Sequence, residues 1–175
     1  MHRNRSAGFT LMELMTAIII VMIVALMLVQ SYDSIIANAE SAKCLTNLSG
    51  LYVGASSYVQ EQGYWPQIDQ TLSSKLYAQQ WIAALSRYGV SQQSWICPTV
   101  QRTNGNPDLS LPANVRVDYI ATPFDNKPRT PYRWSTQPWF IEKGAPHPGG
   151  NLIIYEDGST LTLIQAAQRP SPAQN

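Results

Sequence analysis

Few side chains in this 175-residue chain can do chemistry. There are two cysteines, Cys44 and Cys97, and two histidines, His2 and His147. His147 is followed, after nine intervening residues, by Asp157-Gly158. An imidazole and a carboxylate can form an acid–base pair or share a metal. One His with one Asp is too few ligands for zinc, and no Ser-His-Asp spacing or nucleophile elbow accompanies them. His147 lies among Pro146, Pro148, Gly149 and Gly150. It is read as structural, tying its loop by hydrogen bonds to the hairpin that carries Asp157 and Gly158. Cys44 and Cys97 enclose 52 residues. A disulfide closing that loop in an oxidising compartment would contribute ~3–4 kcal/mol, and two buried free thiols are the alternative. No catalytic residue, cofactor or metal is assigned, so an enzyme is not expected.

The remaining chemical group is Glu13. It interrupts an apolar run from Phe9 to Val29 that is otherwise broken only by Thr10 and Thr16. At about 1.5 Å per residue this run crosses a ~30 Å hydrocarbon core. A carboxylate inside the bilayer costs about 2–3 kcal/mol unless it is paired. Snorkelling to the interface would reduce that cost. An ammonium on a neighbouring chain would offset it more specifically. Arg3 and Arg5 precede the run, so the N-terminus is expected in the cytoplasm and the rest outside it. A signal peptide would need a small-x-small cleavage site after the apolar stretch. Gln30-Ser31-Tyr32-Asp33-Ser34-Ile35 offers none.

The elements that position these groups follow from periodicity. Apolar residues continue at steps of three and four through Tyr32, Ile35, Ala39, Ala42, Leu45, Leu48, Tyr52, Ala55 and Val59. Cys44 shares a face with Leu48, Leu51 and Ala55. Gly63 and Pro66 stop the pattern. A single helix of about 54 residues, Phe9 to Gln62, is expected, with Gly50 and Gly54 marking a bend or a close approach. Ser73 or Ser74 caps a second helix running to about Tyr88, stopped by Gly89. Val115 to Tyr119 alternates like a strand, and Trp139-Phe140-Ile141 is another. Asn151–Tyr155 and Thr160–Ile164 flank Glu156-Asp157-Gly158-Ser159 as a hairpin. Eight prolines punctuate residues 106–148, and Ala166 to Asn175 reads as a disordered tail.

The totals agree with an anchored domain. Twelve Lys and Arg against eleven Asp and Glu give a net charge of +1, with no basic cluster, so no nucleic-acid partner is expected. Only 13% of residues are charged, low for a freely soluble protein. Tyr132, Trp134 and Trp139, near Arg129 and Arg133, either pack in a core or form an aromatic surface for a glycan or protein.

Gly8-Phe9-Thr10-Leu11-Met12-Glu13-Leu14, behind a basic leader, resembles the processing signal of type IV prepilins and type II secretion pseudopilins. The resemblance implies cleavage between Gly8 and Phe9 by prepilin peptidase, N-methylation of Phe9, and an assembly role for Glu13. His147 with Asp157-Gly158 is similar to the His-x9-Asp-Gly ending of a subgroup of bacterial pilin-like proteins. Lys43 to Leu48 and Cys97-Pro98 are similar to other parts of that subgroup. The implied fold is α+β, a long N-terminal helix packed on a small antiparallel sheet with Pro-rich loops. The implied organisation is a leader (1–8), a membrane half of the helix (9–29), an amphipathic half (30–63), a head (64–165) and a tail (166–175). The implied function is a structural subunit of a pilus or secretion pseudopilus. It would sit in the inner membrane with its C-terminal domain outside the cytoplasm. Its partners would be other pilin-like subunits and an inner-membrane assembly platform. A single-span anchored module that binds a glycan or protein is the alternative. Major pseudopilins often hold calcium. Asp118, Asp125, Glu156 and Asp157 supply oxygens here, without the clustered pattern of an EF-hand.

Overall fold

The structure is a computed structural model that describes residues 10–105, 114–144, 146–147 and 149–168. Gly8, Phe9 and the end of the tail, residues 169–175, lie outside the described residues, as do Pro107, Pro112 and Pro148 of the Pro-rich stretch. The chain forms two compact units, Met1–Asn38 and Ala39–Asn175.

The expected α+β architecture is present. Helix α1 spans Leu11–Gln62. In the first unit fourteen large apolar side chains between Leu11 and Leu28 are 46–78% exposed. In the second unit α1 buries Cys44, Leu48, Leu51, Ala55 and Val59. That stripe is the face predicted for Cys44. The neighbouring positions Leu45 and Tyr52 are half-buried at its edge, and Ala42 is exposed. Gly54 is the close approach: a Cβ there would overlap Val90 Cγ2. Gly50 faces open space.

Helix α2 spans Ser74–Ser86, with the Ser73 side chain accepting from the Leu76 amide. It buries Tyr77, Ala78, Trp81 and Leu85. A 3-10 turn at Gln92–Trp95 leads to α3, Pro98–Asn104. Sequence periodicity does not reveal either. The local signal for α3 is Pro98, whose missing N–H suits a first helical turn. The sheet is an antiparallel meander of four strands in chain order: β1 Tyr119–Ala121, β2 Phe140–Glu142, β3 Leu152–Ile154 and β4 Thr160–Thr162. Tyr119 pairs with Glu142, Ile153 with Ile141, and Leu161 with Ile153. A four-residue helix, α4, occupies Thr130–Arg133 between β1 and β2.

Two expectations at strand boundaries are corrected. Residues 115–118 are not in the sheet. The Asp118 amide donates to the Trp95 carbonyl at 2.8 Å, so this stretch pairs with the 3-10 segment instead. The hairpin is present, but its second strand ends at Thr162 because Thr162 and Gln165 form a capping box that starts helix α5, Leu163–Ala167. Ala166 and Ala167, assigned to the tail by sequence, belong to that helix.

Aromatic rings fill the core between α1, α2 and the sheet. Trp65 meets Trp139 at 4.9 Å between centroids, Phe124 at 5.1 Å and Trp81 at 5.9 Å. Trp81 in turn meets Trp95 at 5.9 Å. Trp139 is fully buried and its indole N–H donates to the Pro131 carbonyl at 2.9 Å. Its use is therefore packing, whereas Tyr132 and Trp134 remain 43% and 49% exposed.

The two helix glycines separate propensity from packing. Gly50→Ala should stabilise the second unit by about 0.5–1 kcal/mol, since only the backbone entropy changes. Gly54→Ala should destabilise it, because about 1–3 kcal/mol of overpacking against the stiff, β-branched Val90 outweighs the same gain. Denaturant unfolding of the full chain in detergent, followed by fluorescence of its five tryptophans, measures both.

Candidate functional site

The N-terminal segment opens with a capped turn. The Thr10 hydroxyl accepts from the Glu13 amide at 3.3 Å, and the Thr10 carbonyl accepts from the same N–H at 3.1 Å. Glu13 thus sits in the first turn of α1, where its charge opposes the positive end of the helix dipole. Its side chain is exposed, and no residue of the most apolar 18-residue window of α1 is buried. That window is long and apolar enough to cross a bilayer. Among the described residues, no side chain buries it.

The second unit gathers the other singled-out residues. Cys44 comes from α1, Cys97 from the turn before α3, Glu142 from the end of β2 and His147 from the loop after it. One ligand atom from each lies within 4.8 Å of the others, and all four side chains are buried. Cys44 and Cys97 are free thiols with Sγ atoms 3.0 Å apart. His147 Nε2 is 3.2 Å from Glu142 Oε1 and 3.9 Å from Cys97 Sγ. Its Nδ1 is 3.0 Å from Ser41 Oγ, one helical turn before Cys44. Glu142 Oε2 accepts from the Leu152 amide at 3.2 Å. The thiols shift each other. The contact with Cys97, together with burial, pushes the Cys44 thiol up. The contact with Cys44 holds Cys97 down.

Surrounding contacts fix these groups. The Cys97 amide donates to Asp118 Oδ2 at 2.9 Å. Burial raises the Asp118 carboxyl, against the opposing pull of that amide, Arg116 and Lys143. Asn47 Nδ2 donates to the Ile96 carbonyl at 2.9 Å. Above the cluster, Arg102 Nε donates to Glu40 Oε1 at 2.7 Å and the Thr99 hydroxyl to Oε2 at 3.0 Å. Burial acts to raise the Glu40 carboxyl, but these hydrogen bonds outweigh it and hold the group below its ordinary value of 4.5.

The His147 ring reaches Ser41 and Glu142, and its link to the hairpin runs through Glu142 to the Leu152 amide of β3. Asp157 takes a different role: its carboxylate accepts from the Ser159 amide at 2.8 Å within the turn. Gly158 has φ +76°, and a Cβ there would stand 3.2 Å from the Tyr52 ring. The Tyr52 hydroxyl donates to the Glu156 carbonyl at 2.9 Å, so the Asp-Gly turn docks on α1. The four oxygen donors considered for calcium stand in different settings. Asp118 is buried beside Arg116, Asp125 is exposed beside Lys127, and Glu156 and Asp157 are in the hairpin turn. Glu142 and Ser41 escaped the sequence reading. A signal existed for Glu142: strand alternation from Phe140 places it on the inward face, where a charge needs a partner.

Residues 3–29 match the family described as the prokaryotic N-terminal methylation motif. No curated protein and no solved structure matches the chain. The N-terminal segment thus carries a motif like that of type IV prepilins and pseudopilins, and the long helix with a small antiparallel sheet is a pilin-like arrangement. The matched family is a structural motif, not an enzyme family. Motif and apolar helix together fit a membrane-anchored, single-pass protein.

The Glu40 clamp gives a pH signature. A depressed folded value means the stabilisation is full above about 4.5 and is lost as pH falls through the folded value. Glu40→Gln should lower stability by about 1 kcal/mol at pH 7. The difference from the unsubstituted chain should shrink below pH 4.5, as read from denaturation midpoints across pH 3–7.

Proposed function

We propose that this chain is a structural subunit of a membrane-assembled filament, a type IV pilus or a type II secretion pseudopilus. The carrying observation is a methylation motif that runs straight into an apolar helix left unburied among the described residues, with one acid in its first turn. Prepilin peptidase would cut between Gly8 and Phe9 and methylate Phe9. The chain would wait in the inner membrane as a single span, its second unit outside the cytoplasm. It would then join other pilin-like subunits at an assembly platform.

Glu13 drives the ordering step. Cleavage creates an ammonium at Phe9, about one helical turn from the carboxylate. An incoming subunit whose Glu13 meets the amine of a neighbour removes a penalty of about 2–3 kcal/mol, or roughly thirtyfold to a hundredfold in association. The apolar faces then exchange lipid for protein. Burying an apolar side chain fully is worth about 1.5–3 kcal/mol relative to water. The helix therefore never becomes free in water, and moves only between two apolar surroundings.

Gly8→Leu should block processing, so that the uncut precursor accumulates and the mass of methylated Phe9 at the N-terminus is missing. Glu13→Leu should be cut yet lose roughly thirtyfold to a hundredfold of its crosslinked multimers. A Glu13→Leu chain that multimerises as well as the unsubstituted one would leave only the single-span anchored binding module standing.

A further inference from the structure

We propose that Cys44, Cys97, Glu142 and His147 form a closed four-ligand site for a divalent transition-metal ion of the zinc type, which fastens the part of helix α1 that lies in the second unit to the rest of that unit. Four donors is the number a structural zinc site takes, and these four are thiolate, thiolate, imidazole and carboxylate. With bond lengths of about 2.0–2.3 Å, tetrahedral ligand atoms stand ~3.3–3.8 Å apart. The separations here, 3.0, 3.2 and 3.9 Å, bracket that range, and no pair of the four atoms exceeds 4.8 Å.

The outer contacts suit a ligand set. A metal-bound imidazole uses one nitrogen and gives the other to a hydrogen-bond partner. His147 turns Nε2 inward and places Nδ1 at 3.0 Å from Ser41 Oγ. Glu142 turns Oε1 inward and lends Oε2 to the Leu152 amide. Two sulfurs and a ring nitrogen select zinc-like ions over calcium or magnesium, which prefer oxygen. All four side chains are buried, so the site has no open position for substrate and is structural.

A disulfide between Cys44 and Cys97 is the competing use of the sulfurs. It would leave two buried polar side chains turned toward a neutral bridge. The Glu142 side chain has 0% exposure and that of His147 has 5%. Burying a carboxylate is costly without a counter-charge. A divalent cation at the centre offsets two of the three negative charges carried by the carboxylate and both thiolates, and thereby accounts for all four residues at once. His147 then has a role that a lone His with Asp157 could not supply. The ion would join four segments that are far apart in sequence: α1, the turn before α3, β2 and the following loop.

The test is cobalt(II) titration of the full chain, reduced and held in detergent. One equivalent should bind, with the intense thiolate-to-metal absorption of a tetrahedral site, and zinc should displace it. Ser41→Ala, which keeps every ligand, should weaken cobalt binding about 10–100-fold. Glu142→Gln should weaken it at least about tenfold. Failure of the reduced chain to bind cobalt or zinc overturns the proposal. So does a Cys44–Cys97 disulfide in chain taken from cells with its thiols blocked at lysis. Unchanged affinity in both the Glu142→Gln and Ser41→Ala chains overturns it as well, because two thiols alone would then explain the binding.

Discussion

Helix α1 meets two different surroundings along one backbone, and the rest of the structure answers to that. From Leu11 to Leu28 its large side chains are exposed all round. Seven of them, if covered, would contribute at least about 10 kcal/mol, comparable to the whole stability of an ordinary domain at about 5–15 kcal/mol. No folded head could afford to leave that surface in water. From Cys44 to Val59 the same helix is amphipathic, and one stripe of it is the floor of a core. A uniformly apolar segment long enough to cross a bilayer and a packed segment with one buried face need different sequences, and the change of pattern is visible along the chain.

The head itself has little regular structure to rely on. Its four strands are each three residues long, short even for a small sheet. The backbone ladder is therefore a minor source of order. Its place is taken by large rings: Trp65, Trp81, Trp95, Trp139 and Phe140 are almost wholly buried and meet one another edge to face or tilted. Such contacts are worth about 0.5–1.5 kcal/mol each beyond the area they bury. This explains how a chain with twelve prolines still holds a defined core: the described prolines stand in connections or in the first turns of the short helices α3 and α4, and the rings carry the packing.

What the sequence made legible follows from range. The span, α1, the cap at Ser73 and the Asp-Gly turn depend on residues within a few positions of each other, and each stands where its local pattern puts it. The ends of strands were less legible because they depend on competition. Val115 to Asp118 alternates well enough for a strand, but the Trp95 carbonyl claims the Asp118 amide. Thr160 to Ile164 alternates too, but Thr162 and Gln165 satisfy each other as a cap. The buried cluster was least legible. The sequence pairs Cys44 with Cys97 and His147 with Asp157 and does not mark Glu142, because only the fold brings four separate segments to one point.

Polar contacts along α1 do what the apolar stripe cannot. Apolar packing stabilises by area, and a helix with Leu48, Leu51, Ala55 and Val59 inward could slide by a turn and still bury much of it. Hydrogen bonds are specific to position. Glu40 holds Arg102 and Thr99, Ser41 holds His147, Asn47 holds the Ile96 carbonyl and Tyr52 holds the Glu156 carbonyl. Each contributes only about 0.5–1.5 kcal/mol when made, but leaving a buried partner unmet costs about 1–3 kcal/mol. A slip of one turn breaks all of them together, and it also removes Cys44 from Cys97. The stripe thus supplies the free energy of docking, while the polar side chains at 40, 41, 47 and 52 select one register out of several that the stripe alone would allow.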